Sequence, residues 1–166
     1  MFVKEMGKFV LTAGVIGLAA HFLGEGLPRS WFHYNAAPWR AFRWEREGKI
    51  YRRVGIARWK DRLPDASRHA SDMVRKRLEG DRTAEHLLRL VQETCVAECV
   101  HWLLWLVSPV LLAVMKRPWS VAAAVLYGLS NLPFILIQRY NRPRLARLYE
   151  RAAERETIKQ MNEEKD

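Results

Sequence analysis

The chain has 166 residues, a length that suits one domain, and 49% of them are hydrophobic. Its formal net charge of +10 implies an anionic partner, such as a nucleic acid, a phosphorylated substrate or a lipid headgroup surface. Because the apolar residues lie in three blocks, the composition argues against a nucleic-acid-binding protein and favours a membrane protein.

The first apolar block covers roughly residues 9–27 and follows Lys4 and Lys8. A membrane span needs about 20 residues, and this block nearly supplies them, so we interpret it as a retained anchor. A cleaved signal peptide is the alternative, because the small residues Ala19 and Ala20 follow a short apolar run.

The connector, residues 28–95, is rich in aromatic and basic side chains, with Trp31, Trp39, Trp44 and Trp59 among arginines. Tryptophan settles at the membrane–water interface, where arginines meet anionic headgroups. We therefore expect short helices or turns on the inner leaflet, followed by a helix over residues 66–94 that leads into the second span.

The second and third blocks cover about residues 96–115 and 121–137, separated by a short basic break. Two apolar helices with so short a connection form a helical hairpin. The tail, residues 138–166, is strongly charged and is typical of a solvated, fraying helix. The pattern predicts an all-α integral membrane protein that forms a single membrane domain. This domain has about three transmembrane helices, an interfacial aromatic and basic segment, and a C-terminal helical hairpin.

Charge placement predicts the orientation of these spans. Residues 29–62 hold ten Lys or Arg against three acidic residues, and residues 139–151 hold five Arg against one Glu. The N-terminal start and the break at residues 116–120 hold two Lys or Arg each. Loops rich in Lys and Arg remain on the cytoplasmic side of a membrane. We therefore predict a multi-pass protein of the cell (inner) membrane, with the N-terminus outside and the connector and tail in the cytoplasm.

Three ionisable side chains mark the entry to the second span, namely Glu93, Glu98 and His101. Glu98 and His101 are three residues apart and can touch on a helix. Ionisable groups at membrane depth cost on the order of a few kcal/mol each and usually face a bundle interior or a wet cavity. A carboxylate can orient an imidazole and stabilise its protonated form, which suits a general base.

Two simpler interpretations of this group stay open. The Glu98–His101 pair could serve helix packing alone, or it could be half of a carboxylate metal site. No second Glu-x-x-His motif occurs in the chain, so we predict no metal. Cys95 and Cys99 face the same way along one helix, which makes neither a disulfide nor a zinc site and favours two small packed residues.

The third block carries a polar stripe, formed by Tyr127, Asn131, Gln138 and Arg142. An unpaired amide deep in a span is unfavourable, so Asn131 is expected to face the second helix. The run QRYNRPRL follows at residues 138–145. Its arginine forks match phosphate and carboxylate, although a positive-inside anchor would also account for the charge.

These motifs resemble one family. The patterns Glu93-Thr94-x-x-Ala97-Glu98-x-x-His101-Trp102, Asn131-x-Pro133 and the run at residues 138–145 are similar to glycosyl-diaponeurosporenoate acyltransferases, the membrane enzymes that finish staphyloxanthin-type carotenoids. Phe42-x-x-Glu45-x-x-Gly48-Lys49 and Trp59-Lys60 resemble that family's connector. The similarity covers roughly residues 32–148.

The resemblance implies transfer of a fatty acyl group from an activated donor to a sugar hydroxyl of a membrane glycolipid, a carotenoid glycoside or a related one. It implies no bound cofactor, an acyl-CoA-like donor as co-substrate, and lipid rather than nucleic acid as partner. The chain departs from the family pattern at residues 33–40 and 66–82, so glycolipids other than carotenoids stay open as substrates.

The chemistry suggests a role for each candidate residue. His101 would be the general base, Glu98 would hold its imidazole, and Glu93 is a second candidate base. Direct transfer is expected, with Cys99 the one candidate nucleophile for an acyl-enzyme. The candidate substrate-binding residues are of three kinds. Arginines would bind the donor phosphates or the acceptor headgroup (Arg139, Arg142, Arg144), and amides would donate to the oxyanion (Asn131, Gln138, Asn141). Further contacts to substrate are expected from Tyr140, Trp59 and Lys60.

Two other functions are considered. A non-catalytic membrane protein that binds anionic lipid or a partner enzyme would explain the basic charge, and it predicts that Glu98→Gln is harmless. A different lipid-modifying enzyme on the same scaffold would keep the site and change the product.

Overall fold

The computed structural model describes residues 2–60 and 83–165, and in these ranges every regular element is helical. The α-helices are α1 (Phe2–Gly26), α2 (Ile56–Trp59), α3 (Ala84–Val107), α4 (Val110–Val114) and α5 (Trp119–Glu163). Three helical stretches are long and apolar enough to cross a membrane, namely α1, α3 together with α4, and α5. The predicted all-α membrane class is therefore confirmed.

The helices are longer than the apolar blocks. Helix α1 begins at Phe2 rather than Phe9, and its first turns include an ion pair of 3.1 Å between Lys8 Nζ and Glu5 Oε1. Helix α5 continues through the charged run to Glu163. The predicted helix over residues 66–94 is observed from Ala84 onward, and its earlier part lies outside the described residues.

Pro109 interrupts the second span. Proline lacks a backbone N–H and its ring clashes with the carbonyl four residues earlier, which ends a helix near that point. Accordingly α3 ends at Val107 and α4 begins at Val110, and the turn is closed by a 3.2 Å hydrogen bond from Leu111 N–H to Ser108 O.

The chain divides into two compact units, and the first comprises Met1–Pro28 and Val96–Gln138. In this unit the start of α1 lies beside the turn before α5, because Glu5 accepts the backbone N–H of Lys116 at 2.8 Å. The Phe2 and Trp119 rings meet there with centroids 5.1 Å apart. Helices α3 and α5 approach closely, since a Cβ on Gly128 would lie 3.3 Å from Trp105 Cδ1. The hairpin predicted for this part of the chain is observed.

The second unit comprises Arg29–Cys95 and Arg139–Asp166. Its connector portion forms three short 3₁₀ helices (Arg29–Trp31, Arg43–Glu45 and Lys49–Val54) and α2, which matches the predicted series of short helices and turns. Gly48, with φ of 79°, packs against the tail portion of α5. A Cβ at Gly48 would lie 3.2 Å from the carbonyl oxygens of Arg139 and Tyr140, so only glycine fits here.

Candidate functional site

A histidine–asparagine pair joins α3 to α5 in the first unit. His101 Nδ1 lies 3.0 Å from Asn131 Oδ1. The imidazole also stacks on the Phe134 ring, with centroids 4.7 Å apart and planes 8° from parallel. Asn131 is buried and faces α3, as the sequence predicted. Two contacts therefore fix both the plane and the direction of the imidazole.

The hydrogen bonds of Asn131 assign the tautomer of His101. Asn131 Nδ2 donates to the carbonyl oxygen of Tyr127 at 2.8 Å, so the amide oxygen faces the imidazole. A carbonyl oxygen only accepts, hence His101 Nδ1 carries the proton in the neutral ring. The basic lone pair of neutral His101 is then on Nε2.

Glu98 lies one turn before His101 on α3 and is 2% exposed. Its Oε1 accepts the indole N–H of Trp102 at 3.3 Å. Glu98 and His101 are three residues apart on α3, a separation at which helical side chains can touch. The structure thus places Glu98, His101 and Asn131 in one unit.

A second polar cluster, in the other unit, surrounds the Glu45 carboxylate, which is 1% exposed. Arg139 donates from Nε at 2.5 Å and from Nη2 at 2.9 Å, and the backbone N–H of Phe42 donates at 2.6 Å. The Tyr51 hydroxyl donates to the same carboxylate. Burial works to raise the pKa of Glu45, but hydrogen bonds from Arg139, Tyr51 and Phe42 outweigh it and hold that pKa below its usual value. Burial, followed by the adjacent carboxylate, raises the pKa of Tyr51, so its hydroxyl stays protonated.

Sequence reasoning missed this cluster as a site. Glu45 and Tyr51 lie in a segment crowded with arginines, where an acidic residue is expected to be a solvated ion-pair partner. The spacing Phe42-x-x-Glu45 was the available signal, because it returns the carboxylate to the backbone N–H of Phe42.

The other predicted arginines also have protein partners. Arg142 is 3% exposed and donates at 2.8 Å to three oxygens, Thr94 Oγ1, Thr94 O and Trp39 O. Arg144 donates to the carbonyl of Tyr140, and its guanidinium lies 3.5 Å from the centre of that ring. The geometry shows Arg142 holding α3, α5 and the connector portion of its unit together.

Glu93 is engaged as an ion pair. Arg29 donates from Nε to Oε1 at 2.9 Å and from Nη2 to Oε2 at 3.0 Å, so both carboxylate oxygens face one guanidinium. Because both carboxylate oxygens are engaged by this bidentate pairing, His101 is the better-placed candidate base. Trp59 donates its indole N–H to Val54 O at 3.0 Å, and Lys60, which follows it, is half-buried.

The remaining candidates are amides and thiols. Gln138 is 6% exposed and Asn141 is half-buried, and both lie on α5. Cys95 is buried and Cys99 is half-buried, both as free thiols. Among residues 2–60 and 83–165, no three His, Cys, Asp or Glu side chains are grouped in a way that could hold a metal ion.

A cavity of about 230 Å³ opens in the second unit. Aromatic and polar side chains line it together, among them Tyr34, Trp39, Arg40, Glu47, Arg147 and Glu150. The Tyr34 ring meets the Tyr149 ring edge to face at 5.9 Å. Arg147 Nη1 lies 2.7 Å from Glu47 Oε2. The cavity is therefore a mixed-charge site with apolar walls.

Comparison with known proteins identifies the family. The family model described as glycosyl-4,4'-diaponeurosporenoate acyltransferase matches residues 28–151. Proteins of that name from Staphylococcus aureus strains Newman and COL are each 28% identical over 155 residues, which covers 87% of this chain and 92% of theirs. No solved structure matches the chain. The chain therefore belongs to the glycosyl-4,4'-diaponeurosporenoate acyltransferase family, a family of acyltransferases.

Proposed function

We propose that the chain transfers a fatty acyl group from an activated thioester donor to a sugar hydroxyl of a membrane glycolipid, with His101 as the general base. The observation that carries this proposal is the 3.0 Å contact between His101 Nδ1 and Asn131 Oδ1. That contact selects the tautomer whose Nε2 can accept a proton. The names of the relatives support a carotenoid glycoside or a related glycolipid as the acceptor.

The proposed reaction is a direct transfer. His101 Nε2 takes the proton of the acceptor hydroxyl as the sugar oxygen attacks the thioester carbonyl carbon, which forms a tetrahedral oxyanion. The C–S bond then breaks, and the leaving thiolate takes the proton from the imidazolium. The acyl group has moved from sulfur to oxygen, and His101 has returned to its neutral form. General base assistance of this kind contributes roughly 10² to 10⁴ in rate.

Glu98 and Asn131 support His101 in different ways. Asn131 Oδ1 accepts a hydrogen bond from the Nδ1–H group and holds the ring in position, so we assign Asn131 to orientation rather than to oxyanion binding. Glu98, buried one turn away on α3, stabilises the imidazolium that forms during transfer. Gln138, which belongs to the same unit as His101, is the amide left as the candidate donor to the oxyanion.

The arginines take positioning roles in this proposal. Arg139 donates to Glu45, and Arg142 donates to Thr94 and Trp39, which supports a structural assignment for both. Arg144, stacked on Tyr140, is the member of the QRYNRPRL run that we assign to an anionic group of the donor. Glu93, paired with Arg29, is assigned to holding the entry of α3.

We also propose a location in the cell membrane, with the N-terminus outside and the tail in the cytoplasm. The start of α1 and the turn before α5 lie at the same end of the first unit, as three alternating spans require. That end carries few basic residues in the sequence, whereas the connector and tail carry many. The positive-inside rule assigns the basic regions to the cytoplasm.

Lipid mass spectrometry tests the proposal. Cells that make a carotenoid glycoside and express this chain should contain a new lipid heavier by one acyl group, and cells with an empty vector should lack it. Purified protein with an acyl thioester and the glycoside should form the same product over many turnovers. A rise in acylated lipid in cells without turnover by the purified protein would instead support the non-catalytic alternative.

A further inference from the structure

Two aromatic side chains of the connector are exposed although they are large and apolar. Phe42 is 47% exposed and Trp44 is 60% exposed. Their rings are stacked, with centroids 6.3 Å apart and planes 10° from parallel. Apolar side chains that lie together on a surface mark a contact site for a protein partner or a membrane.

The polar cluster around Glu45 fixes this aromatic pair in place. The backbone N–H of Phe42 donates to Glu45 at 2.6 Å, and the guanidinium of Arg139, which also binds Glu45, lies 4.8 Å from the centre of the Phe42 ring. Trp44 meets the Tyr51 ring edge to face at 6.4 Å, and the Tyr51 hydroxyl donates to Glu45. The exposure of the two rings is therefore part of the folded structure, and a partner would bind them with little loss of conformational entropy.

The segment that carries the aromatic pair, residues 42–58, is strongly basic. Its exposed Lys and Arg side chains are Arg43, Arg46, Lys49, Arg52, Arg53 and Arg58. Its two acidic residues, Glu45 and Glu47, already face arginines of the tail. Within the described part of the chain, none of these exposed bases forms an ion pair. Their charge therefore remains available to an anionic surface.

Aromatic and basic side chains together match the interface of an anionic bilayer. Tryptophan and phenylalanine rings settle at the level of the headgroups, and anionic headgroups attract Lys and Arg side chains close to them. An acidic protein would match the charge as well. However, α1 is long enough to cross a membrane and ends at Gly26, so the chain itself keeps the bilayer within reach of Phe42 and raises its effective concentration. This tether favours the bilayer as the partner of the surface.

We propose that Phe42 and Trp44, with the exposed bases that flank them, form a surface that binds anionic phospholipid at the bilayer interface. The two rings enter the headgroup region, and the flanking bases pair with the anionic headgroups. Such a surface serves an acyltransferase and a non-catalytic membrane protein equally, so the inference goes beyond the proposed function. It involves neither His101 nor Asn131, and a test by lipid contact therefore succeeds or fails independently of acyl transfer.

Fluorescence quenching of the full-length protein in nanodiscs tests this inference. The discs contain phosphatidylcholine and a rising mole fraction of phosphatidylglycerol, which is brominated near the carbonyl end of its acyl chains. The quenching of Trp44 is the difference between the wild type and Trp44→Phe, which removes the indole and keeps an aromatic ring. Arg43→Gln and Arg46→Gln should each raise the mole fraction for half-maximal quenching about 5-fold, the factor for one basic side chain near an anionic surface.

Three controls accompany the titration. Arg43→Lys keeps the charge and should behave like the wild type. Arg155→Gln removes an exposed base from α5 about 24 Å beyond Arg139, more than the Debye length of about 8 Å, and should also behave like the wild type. In discs with the same bromine content, brominated phosphatidylcholine should quench Trp44 less than brominated phosphatidylglycerol does.

Half-maximal quenching at the wild-type mole fraction in both Arg43→Gln and Arg46→Gln would overturn the inference. Equal quenching by the two brominated lipids would overturn it too, because it would show an interfacial tryptophan without preference for anionic lipid. If neither lipid quenches Trp44, the surface faces water or a protein partner, and the inference is again rejected.

Discussion

His101 Nδ1 on α3 and Asn131 Oδ1 on α5 are 3.0 Å apart, and this contact joins the two helices of the hairpin through the proposed base. The amide is fixed in turn by Tyr127, one turn earlier on α5. A chain of two hydrogen bonds thus determines which imidazole nitrogen is basic.

Replacing Asn131 tests that relationship. Asn131→Leu removes the acceptor at Nδ1, so kcat for acyl transfer should fall about 100-fold, while KM for the glycoside changes little. Asn131→Asp restores an acceptor and should recover most of kcat. Leu129→Ala, at an exposed neighbouring position on α5, is the control and should match the wild type. A loss in kcat that Asn131→Asp and Asn131→Leu share equally would argue against an orienting role.

The Glu45 carboxylate should make stability depend on pH. Its pKa is lower in the folded protein than the ordinary value of 4.5, so its contribution is fully present above pH 4.5. That contribution is lost as pH falls below 4.5 through the folded pKa. Thermal unfolding in detergent should show Glu45→Gln less stable by about 3 kcal/mol at pH 7, with a smaller difference from wild type at pH 4 and below.

Glu47→Gln provides the comparison for Glu45. Glu47 forms an ion pair with Arg147 on the surface, where pairs contribute less than about 1 kcal/mol. Its unfolding temperature should therefore be close to that of the wild type at pH 7. A Glu45→Gln variant as stable as Glu47→Gln would show that the buried cluster does not hold the unit together.

Arg142→Lys distinguishes positioning from anion binding. Lysine keeps the charge but cannot reproduce a planar fork that donates to Thr94 and Trp39, so the unfolding free energy should fall by about 2 kcal/mol. Arg151→Lys, at an exposed site on the same helix, should change it little. Full stability of Arg142→Lys together with a raised KM for the acyl donor would indicate a phosphate contact instead.

The proposed topology is open to cysteine labelling. In a chain with Cys95 and Cys99 replaced by alanine, Lys4→Cys and Arg117→Cys should react with an impermeant maleimide in intact cells, because both are assigned to the outside. Lys165→Cys should react only after the membrane is made permeable. Labelling of Lys165→Cys in intact cells would reverse the orientation.

Much of the fold could be predicted because apolar blocks of membrane length leave little choice of structure. The orientation of Asn131 toward α3 could also be predicted, because a buried amide group needs a hydrogen-bond partner. The residues at which the helices begin and end could not be predicted from the apolar blocks. Helix α1 begins at Phe2, and Glu5 in its first turns is bound by Lys8 and by the backbone N–H of Lys116; the Lys116 contact joins residues far apart in sequence.

The candidate site was predictable only in part, for a related reason. Local spacing identified Glu98 and His101 as neighbours on one helix. Arg139 and Arg142 contact Glu45 and Trp39 of the connector. These residues are about 100 positions apart in sequence, and local spacing does not predict contacts of that kind. Glu45, which organises the second unit, was therefore recognised as part of a family motif and not as a site.

The most direct test of the central claim is the initial rate of acyl transfer by purified His101→Gln. Glutamine is polar and close in size but cannot take a proton at neutral pH, so kcat should fall between about 10² and 10⁴-fold. The variant should still insert in the membrane and bind glycoside with wild-type affinity. A His101→Gln protein that transfers acyl groups at the wild-type rate would contradict the assignment of His101 as the base.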